Sequence, residues 1–297
     1  MNRILTIDIG GTKTRLVWFD TNFSNISEAS TAPILRELQF PTPNNIDEFI
    51  NLLLSAICDN SPELENLTTI SIASRGLIKD DTITDPPLNM IDFPIISKLQ
   101  KEFPNAKIFL GNDANIGAIG AFPTDFHGRG LYLALGTGIG GGLIINGRLS
   151  EDLLHMEFGH MQFWRDGKLQ KWQDFASGKA FFEKYRLDGT EIPHDDPIWR
   201  EYAENLLLGL AVLIPTLYPN KIIIGGGIAE LFPKFGDILS DLVKENIWSP
   251  TPPILLKKMF GCSRNPIEIT SADESHYTVN RGALVYALKN LNLDDEK

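Results

Sequence analysis

The chain has 297 residues, of which 43% are hydrophobic and 22% charged, proportions typical of a soluble globular protein. The net charge of −11 argues against nucleic acid or an anionic membrane as the main partner, because both are themselves negatively charged. Two isolated cysteines, Cys58 and Cys262, exclude a disulfide framework and a thiolate-rich zinc site. No signal peptide is evident, and no apolar run approaches the roughly 18 residues that cross a membrane, so we expect a cytoplasmic protein.

The first predicted element is a hairpin with a carboxylate in an unusual place. Asp8 lies within the apolar run from Ile4 to Ile9, and Gly10, Gly11 and Thr12 follow at once. A carboxylate in a strand core is costly unless it meets a cation or hydrogen-bond donors. This position therefore predicts a ligand-related role for Asp8.

A similar segment occurs in mid-chain. Asp8–Phe19 reads DIGGTKTRLVWF and Ala134–Asn146 reads ALGTGIGGGLIIN, each an apolar strand, a turn containing Gly and Thr, and a second apolar strand. Two such copies indicate two related halves, each of which opens with a hairpin.

The elements between and after the hairpins alternate in type. We predict helices over Ile46–Ile57, Ala114–Gly120, Pro197–Leu217 and Val279–Asn290, and strands over Thr68–Ser74, Ala106–Asn115 and Lys221–Gly227. The second of these strands carries Asn112 and Asp113 toward its C-terminal end. Strands alternating with helices, and glycines at strand ends, predict α/β layers with ligands at those ends.

Glycine turns follow three strands, at Gly10–Gly11, Gly136–Gly142 and Gly225–Gly227. Each turn alone is a weak signal, because tight hairpins use glycine routinely. GTGIGGG also lacks the GKS/T ending of a P-loop and lies in a hairpin. Together with Asp8, the turns predict backbone N–H groups that cradle a triphosphate, while Asp8 holds Mg²⁺ directly or through water.

The motifs DIGGTKTRL, GNDANIGAIGA, LALGTGIGGGLIINGRL, EFGH and IIIGGG occur in an order and spacing that resemble the ROK sugar kinases. These belong to the actin, Hsp70 and hexokinase superfamily. The resemblance implies a two-lobed α/β fold of the ribonuclease H-like type, with ATP and sugar in the cleft between the lobes. It places a small lobe at 1–113, completed by a C-terminal helix at 279–297, and a large lobe at 114–278.

The resemblance also implies roles for individual residues. Asp113 is the expected general base for the attacking sugar hydroxyl, although Asp at this position also suits a helix cap. The expected sugar contacts are Asn89, Asn112, Asp113, Glu157, His160 and Gln173. The expected phosphate and ATP contacts are Asp8, Gly10, Gly11, Thr12, Lys13, Gly136, Thr137, Gly138, Gly225, Gly226 and Gly227, with Asp8 also the Mg²⁺ residue.

Three departures from the family pattern bear on substrate and structure. The family's cysteine zinc site is absent, so we expect no zinc and a loop held by Trp164, Trp172 and Phe175. Gln173 stands where the family has a sugar-binding glutamate, which puts the identity of the sugar in doubt. Arg75 replaces a proline beside the sugar, and of its two orientations, toward the cleft or into solvent, solvent is favoured.

The leading hypothesis is ATP-dependent phosphorylation of a hexose, with glucose at its 6-hydroxyl as the default. Fructose, mannose and N-acetylhexosamines are alternative sugars, and polyphosphate is an alternative donor. A non-catalytic sugar-binding regulator is the alternative from another class, but retention of Asp8, Asp113 and both phosphate turns favours a kinase. The expected partners are a sugar and a nucleotide, without nucleic acid or membrane, and the family's habit suggests a homodimer.

Overall fold

A computed structural model describes most of the chain. The described ranges are 3–21, 26–60, 67–186, 189–247, 267–273 and 276–295. Cys262 lies outside them. The chain divides into two compact units; the first comprises Met1–Phe126, Gly147–His155 and Tyr277–Lys297, and the second comprises His127–Asn146 and Met156–His276.

The main sheet of the first unit is built on the N-terminal hairpin. Its strands are β1 (Arg3–Ile9), β2 (Lys13–Asp20), β3 (Ile34–Pro41), β4 (Leu67–Ser74) and β8 (Lys107–Asn112). They lie in the order β3-β2-β1-β4-β8, with β1 antiparallel to β2 and parallel to β4. A separate antiparallel sheet contains β5 (Leu77–Lys79), β6 (Thr82–Asp85) and β7 (Met90–Phe93).

The second unit repeats the same local topology. Its strands β9 (Arg129–Leu135), β10 (Ile139–Ile145), β14 (Lys221–Gly225) and β15 (Glu268–Ser271) follow the order β10-β9-β14-β15. Again a hairpin is followed by two parallel strands, β14 and β15. The order β2-β1-β4-β8 in the first unit has the same pattern, so the sequence similarity of the two hairpins reflects related architectures. A further hairpin joins β12 (Gln162–Arg165) to β13 (Lys168–Lys171), and β11 (Arg148–Leu149) is a short strand of the first unit.

Helices flank these sheets, and the predicted ones are confirmed with small changes at their ends. In the first unit they are α1 (Ile46–Asn60), α2 (Ile95–Glu102), α3 (Asp113–Ala121) and α8 (Thr278–Asp295). In the second unit they are α4 (Gln173–Ala176), α5 (Gly178–Tyr185), α6 (Pro197–Leu217) and α7 (Phe232–Asn246). None of the described helices is both long and apolar enough to cross a membrane.

Close packing of α8 on α3 fixes the helix that begins at Asp113. A Cβ added at Gly120 of α3 would overlap the backbone of Thr278 and Gly282 in α8, and one added at Gly282 would overlap Ile116 O. Glycine at both positions lets the two backbones approach to a distance that no side chain would allow. The position of Asp113 is therefore set by a closely packed pair of helices.

Aromatic side chains form much of the core of the second unit. Phe181 stacks on Trp199 with ring centroids 5.2 Å apart, and Tyr202 meets Phe181 and Phe235 edge-on, each at 5.1 Å. Trp172 is fully buried and its indole N–H donates to Asn205 O at 3.0 Å. This core anchors α5, α6 and α7 and with them the segment that carries Gln173.

Candidate active site

Asp8 is the central residue of the first hairpin. It lies on β1 opposite Arg15 of β2 and beside Ala73 of β4. Burial is the main cause that raises the pKa of Asp8 to about 7, and the neighbouring Asp113 carboxylate adds to it, while Arg15 and Lys13 act in the opposite direction. The Asp113 carboxylate is thus near enough to disfavour the ionised form of Asp8, and a cation between two such carboxylates would relieve this repulsion.

The glycine turn of this hairpin is held by a residue that the sequence did not single out. Gly10 N–H donates to Lys13 O at 3.0 Å, which closes the turn. The buried Thr42 hydroxyl donates to Gly10 O and contacts the Thr14 hydroxyl, both at 2.9 Å, and Thr42 N–H donates to Thr12 O at 3.0 Å. These bonds engage the carbonyls of Gly10, Thr12 and Lys13, while the residues Thr12 and Lys13 are exposed.

Asp113 begins α3, but it is not the residue that caps this helix. The cap is Asn112, whose Oδ1 accepts from Ala114 N–H at 3.1 Å and Asn115 N–H at 3.2 Å. Asp113 Oδ1 accepts from Ala114 N–H at 2.8 Å. The alternative reading of Asp113 as the N-cap is therefore wrong, because the preceding residue has the extended backbone that a cap requires.

Arg75 lies against the first glycine turn. Its Nε pairs with Asp85 Oδ2 at 2.7 Å, and Asp85 is only 3% exposed. A Cβ added at Gly11 would overlap Nη1 of Arg75. The favoured expectation that Arg75 points into solvent is wrong, because a buried carboxylate 10 positions further along the chain holds its guanidinium. Burial raises the pKa of Asp85 even though Arg75 acts to lower it.

In the second unit, Gln173 connects two of the predicted motifs. Its Oε1 lies 2.8 Å from the position of a Cβ added at Gly138 and equally 2.8 Å from one added at Gly159. Gly138 belongs to the second glycine turn and Gly159 to the Glu-Phe-Gly-His motif. The structure therefore places the side-chain amide of Gln173 between the predicted phosphate turn and the predicted sugar motif.

The Glu-Phe-Gly-His motif forms a short 3-10 turn over Phe158–His160. His160 N–H donates to Glu157 O at 3.0 Å. The Phe158 ring packs against Gly141 of β10, and a Cβ added at Gly141 would lie only 2.6 Å from this ring. Phe158 is buried, whereas the Glu157 and His160 side chains are exposed. Phe158 thus anchors the motif to the hairpin and leaves both polar side chains available to a ligand.

The glycines of the second unit divide by what surrounds them. A Cβ added at Gly225 would overlap the Tyr132 side chain. Gly226 has φ of 80°, and a Cβ added there would lie 2.6 Å from Leu135 O. A Cβ added at Gly136 or Gly227 would meet no described atom within 4 Å. Packing within the described chain thus explains Gly225 and Gly226 but not Gly136 and Gly227. The backbone N–H of Gly136 is already used, since it donates to Gly138 O at 3.0 Å, which closes the second glycine turn. Thr137 lies exposed beside Gly136.

Two further predictions have mixed outcomes. Asn89 is exposed, adopts φ of 55° as the C-cap of a short 3-10 helix, and donates to Asn44 O at 2.9 Å.

Trp172 is buried, as expected for the loop core, and Phe175 meets Phe163 edge-on at 6.0 Å. Trp164 is 73% exposed, so its predicted role in holding the loop is wrong. It lies on the outward side of the β12–β13 hairpin, where its register partner Leu169 is also exposed.

No group of three or more His, Cys, Asp or Glu residues within the described ranges is arranged to hold a metal ion. A hydrated Mg²⁺ is compatible with this, since such an ion is commonly bound through only one or two carboxylates together with substrate phosphates. Asp8 supplies such a carboxylate, and a bound cation would offset the burial and the Asp113 charge that disfavour its ionised form. The donor set therefore fits Mg²⁺ bound with a phosphate ligand.

A family model described as the ROK family matches residues 4–288. The chain belongs to the ROK family. It is 28% identical to a fructokinase of Lactococcus lactis subsp. cremoris over 239 residues, covering 76% of this chain and 79% of the relative. It is 25% identical to a glucokinase of Streptomyces coelicolor over 291 residues, covering 83% and 87%.

A solved structure shows the same fold. The ROK family glucokinase from Streptomyces griseus, in complex with glucose and AMPPNP, superposes with a TM-score of 0.77 at 22% identity, covering 97% of this chain and 100% of that one. The predicted family and the predicted α/β fold of the actin and hexokinase type are confirmed. The predicted enzyme class, a sugar kinase, agrees with these relatives, which differ among themselves in the sugar they are named for.

Proposed function

We propose that this protein transfers a phosphoryl group from ATP to a hexose, with glucose at its 6-hydroxyl as the first candidate. The observation that carries the proposal is the placement of Asp113. It stands at the start of α3, near Asp8, while Asn112 performs the capping that would otherwise explain an aspartate there. The Streptomyces griseus glucokinase complex with glucose and AMPPNP supports both substrates.

In this proposal Asp113 accepts the proton of the attacking sugar hydroxyl. A general base of this kind contributes typically about 10²–10⁴-fold in rate, and positioning and charge neutralisation contribute much of the rest. Asn112 has both lone pairs of its Oδ1 engaged by the helix N–H groups, and its Nδ2 donates to Gly76 O at 3.3 Å. The second Nδ2 hydrogen is what Asn112 offers to a sugar hydroxyl.

The phosphates of the donor are assigned to open backbone at the glycine turns. In the first unit Gly11 is half-exposed, and in the second unit Thr137 and Gly227 are exposed. The N–H groups of Gly10 and Gly136 close their own turns and are not available to a phosphate. Asp8 would hold Mg²⁺, directly or through water, and the ion when bound supplies neutralisation of phosphate charge. Lys13, exposed beside Asp8, adds positive charge at the same turn.

The sugar is assigned to the polar side chains that the structure leaves accessible. Glu157 and His160 are exposed on their anchored turn, and Gln173 lies beside it with its amide facing Gly159. Asn89 is the weakest member of the set, since its amide already donates to Asn44 O. A neutral Gln173 forms a weaker hydrogen bond than a carboxylate would, by about 1 kcal/mol.

The proposal is tested by ADP release from the purified protein with Mg²⁺-ATP and a panel of glucose, fructose, mannose and N-acetylhexosamines. We expect sugar-dependent ADP production, and the relative kcat/KM values identify the sugar. Activity with polyphosphate in place of ATP would change the donor and keep the reaction. Sugar-induced rises in melting temperature without activity from either donor would contradict the kinase proposal and indicate a sugar-binding regulator.

We predict that Gln173→Glu tightens binding of the preferred sugar by roughly fivefold, because a charged acceptor strengthens a hydrogen bond to a hydroxyl by about 1 kcal/mol. The measurement is KM for each sugar of the panel at saturating ATP. Gln170→Glu is the matched control, since the Gln170 amide on β13 donates to Arg165 O within the β12–β13 hairpin. Equal KM values for Gln173→Glu and wild type across the panel would disprove the sugar contact.

Three further expectations remain predictions. The lobe boundaries at 1–113 with 279–297, and at 114–278, are proposed as the functional division of the chain. A homodimer and a cytoplasmic location are proposed from family membership. Sedimentation of the purified protein, with and without sugar, tests directly whether it is a homodimer.

A further inference from the structure

Arg75 lies beside the first glycine turn, in a position fixed by both its backbone and its side chain. Its backbone N–H donates to Ile9 O at 3.3 Å at the end of β1, which brings the residue beside the Gly10–Gly11 turn. Gly76, with φ of 87°, then turns the chain away, and a Cβ there would lie 2.6 Å from Thr84 O. The backbone on both sides of Arg75 is therefore fixed.

The side chain is fixed as well. Asp85 ends β6, is 3% exposed, and pairs through Oδ2 with Arg75 Nε at 2.7 Å. Because the guanidinium is planar and rigid, the contact of its Nε with the buried Asp85 carboxylate limits the directions in which its Nη groups can point. Here Nη1 lies against Gly11, whose missing side chain leaves the room that this nitrogen occupies.

The Nη edge carries unused donor capacity. The Arg75 side chain is 27% exposed, and the described residues place no hydrogen-bond acceptor against its Nη groups. Arg15 on the neighbouring strand differs, because its guanidinium pairs with Glu37 at 3.3 Å and donates to Gln39 at 2.8 Å. Of these two arginines, only Arg75 has a partly exposed guanidinium whose Nη1 lies against a glycine turn.

We propose that Arg75, held by Asp85, is a phosphate ligand at the first glycine turn, where its Nη edge donates to oxygens of the donor's phosphoryl chain. Guanidinium matches phosphate in charge and in the spacing of its N–H groups, so it binds phosphate bidentately. The assignment deepens the proposed function, on which it rests for the identity of the donor. Asp85 acts as a positioning residue.

Calorimetric titration with inorganic triphosphate and Mg²⁺ tests the proposal without requiring turnover. We expect Arg75→Ala to weaken triphosphate binding by about 10- to 100-fold, the usual loss for a hydrogen bond to a charged group. Arg75→Lys should recover only part of the affinity, because an ammonium lacks the planar fork. Arg36→Ala is the matched control, since exposed Arg36 on β3 donates to Asn60 O, and its affinity should equal that of the wild type.

Removal of Arg75 alone leaves Asp85 buried without its cation, which threatens folding. The double variant Arg75→Ala with Asp85→Asn removes both charges and is the second test; it should bind triphosphate as weakly as Arg75→Ala. Free guanidinium at millimolar concentration should restore part of the binding in this variant and leave the control unchanged, which a purely structural role would not produce. Wild-type affinity in the double variant would overturn the assignment.

Sugar-dependent ADP release, measured on the same preparations, separates this proposal from the proposed function. If the wild type phosphorylates sugars and the double variant binds triphosphate with wild-type affinity, the proposed function stands and the Arg75 assignment is overturned. A wild type that binds triphosphate through Arg75 but phosphorylates none of the sugars would support the phosphate ligand and contradict the kinase. Absence of triphosphate binding by the wild type would also overturn the Arg75 assignment.

Discussion

Asp113→Asn is expected to lower kcat for the best sugar by about 10²–10⁴-fold, the contribution of a positioned general base. The substitution keeps the size of the side chain and its capacity to accept from Ala114 N–H, now 2.8 Å from Asp113 Oδ1. Asn112 caps α3 independently, so the helix should remain intact. The measurement is kcat and KM at saturating ATP, together with sugar affinity by calorimetry.

Sugar affinity is the part of this experiment that distinguishes catalysis from folding. It should change by less than a few-fold in Asp113→Asn, since the base acts on the proton and not on ground-state binding. Asp81→Asn, an exposed position in the turn before β6, serves as control and should retain full activity. A variant at position 113 that keeps more than a tenth of the wild-type rate would refute the assignment of Asp113 as base.

Asp8→Asn is expected to raise the Mg²⁺ concentration required for half-maximal activity by about 10- to 100-fold, the range seen when a group that orients a bound metal is removed. This holds whether Asp8 contacts the ion directly or through water. The measurement is a Mg²⁺ titration at fixed ATP. Asp59→Asn at the exposed end of α1 is the control. An unchanged Mg²⁺ requirement would disprove the role of Asp8.

The same substitution should stabilise the protein when Mg²⁺ is removed. The pKa of Asp8 is raised from 3.8 to about 7, mainly by burial and then by Asp113, so its ionised form is less favourable in the folded than in the unfolded chain. This unfavourable contribution grows as pH rises from about 4 and is complete above about 7. We therefore expect Asp8→Asn to melt at a higher temperature than wild type at pH 8 but not at pH 4. A lower melting temperature than wild type at pH 8 would contradict this reading.

These two carboxylates show how far local sequence reasoning extends. Asp8 is recognisable because an ionisable residue interrupts an apolar strand just before a glycine pair, a conflict visible in a few residues. Asp113 is recognisable because it follows a strand and precedes a helix. Which residue caps that helix was not decided by the sequence, since Asn112 and Asp113 are both good caps and only the backbone conformation selects Asn112.

The residues that the sequence missed share a physical reason. Thr42 closes the first glycine turn from 32 positions away, within the unremarkable segment PTPNN. Asp85 reaches Arg75 only because a small antiparallel sheet returns the chain to the end of β4. Such pairings depend on which face of a strand meets which neighbour, and that information is absent from local patterns.

The sequence by itself determined four of the helices (α1, α3, α6 and α8), the two related hairpins and membership of the ROK family, because each rests on periodicity, glycine placement or motif spacing within short segments. The tertiary structure alone decided that Arg75 pairs with Asp85, that Gln173 lies between Gly138 and Gly159, and that Trp164 is exposed. These outcomes follow from packing between segments distant along the chain, where burial and charge, and not local propensity, select the partner.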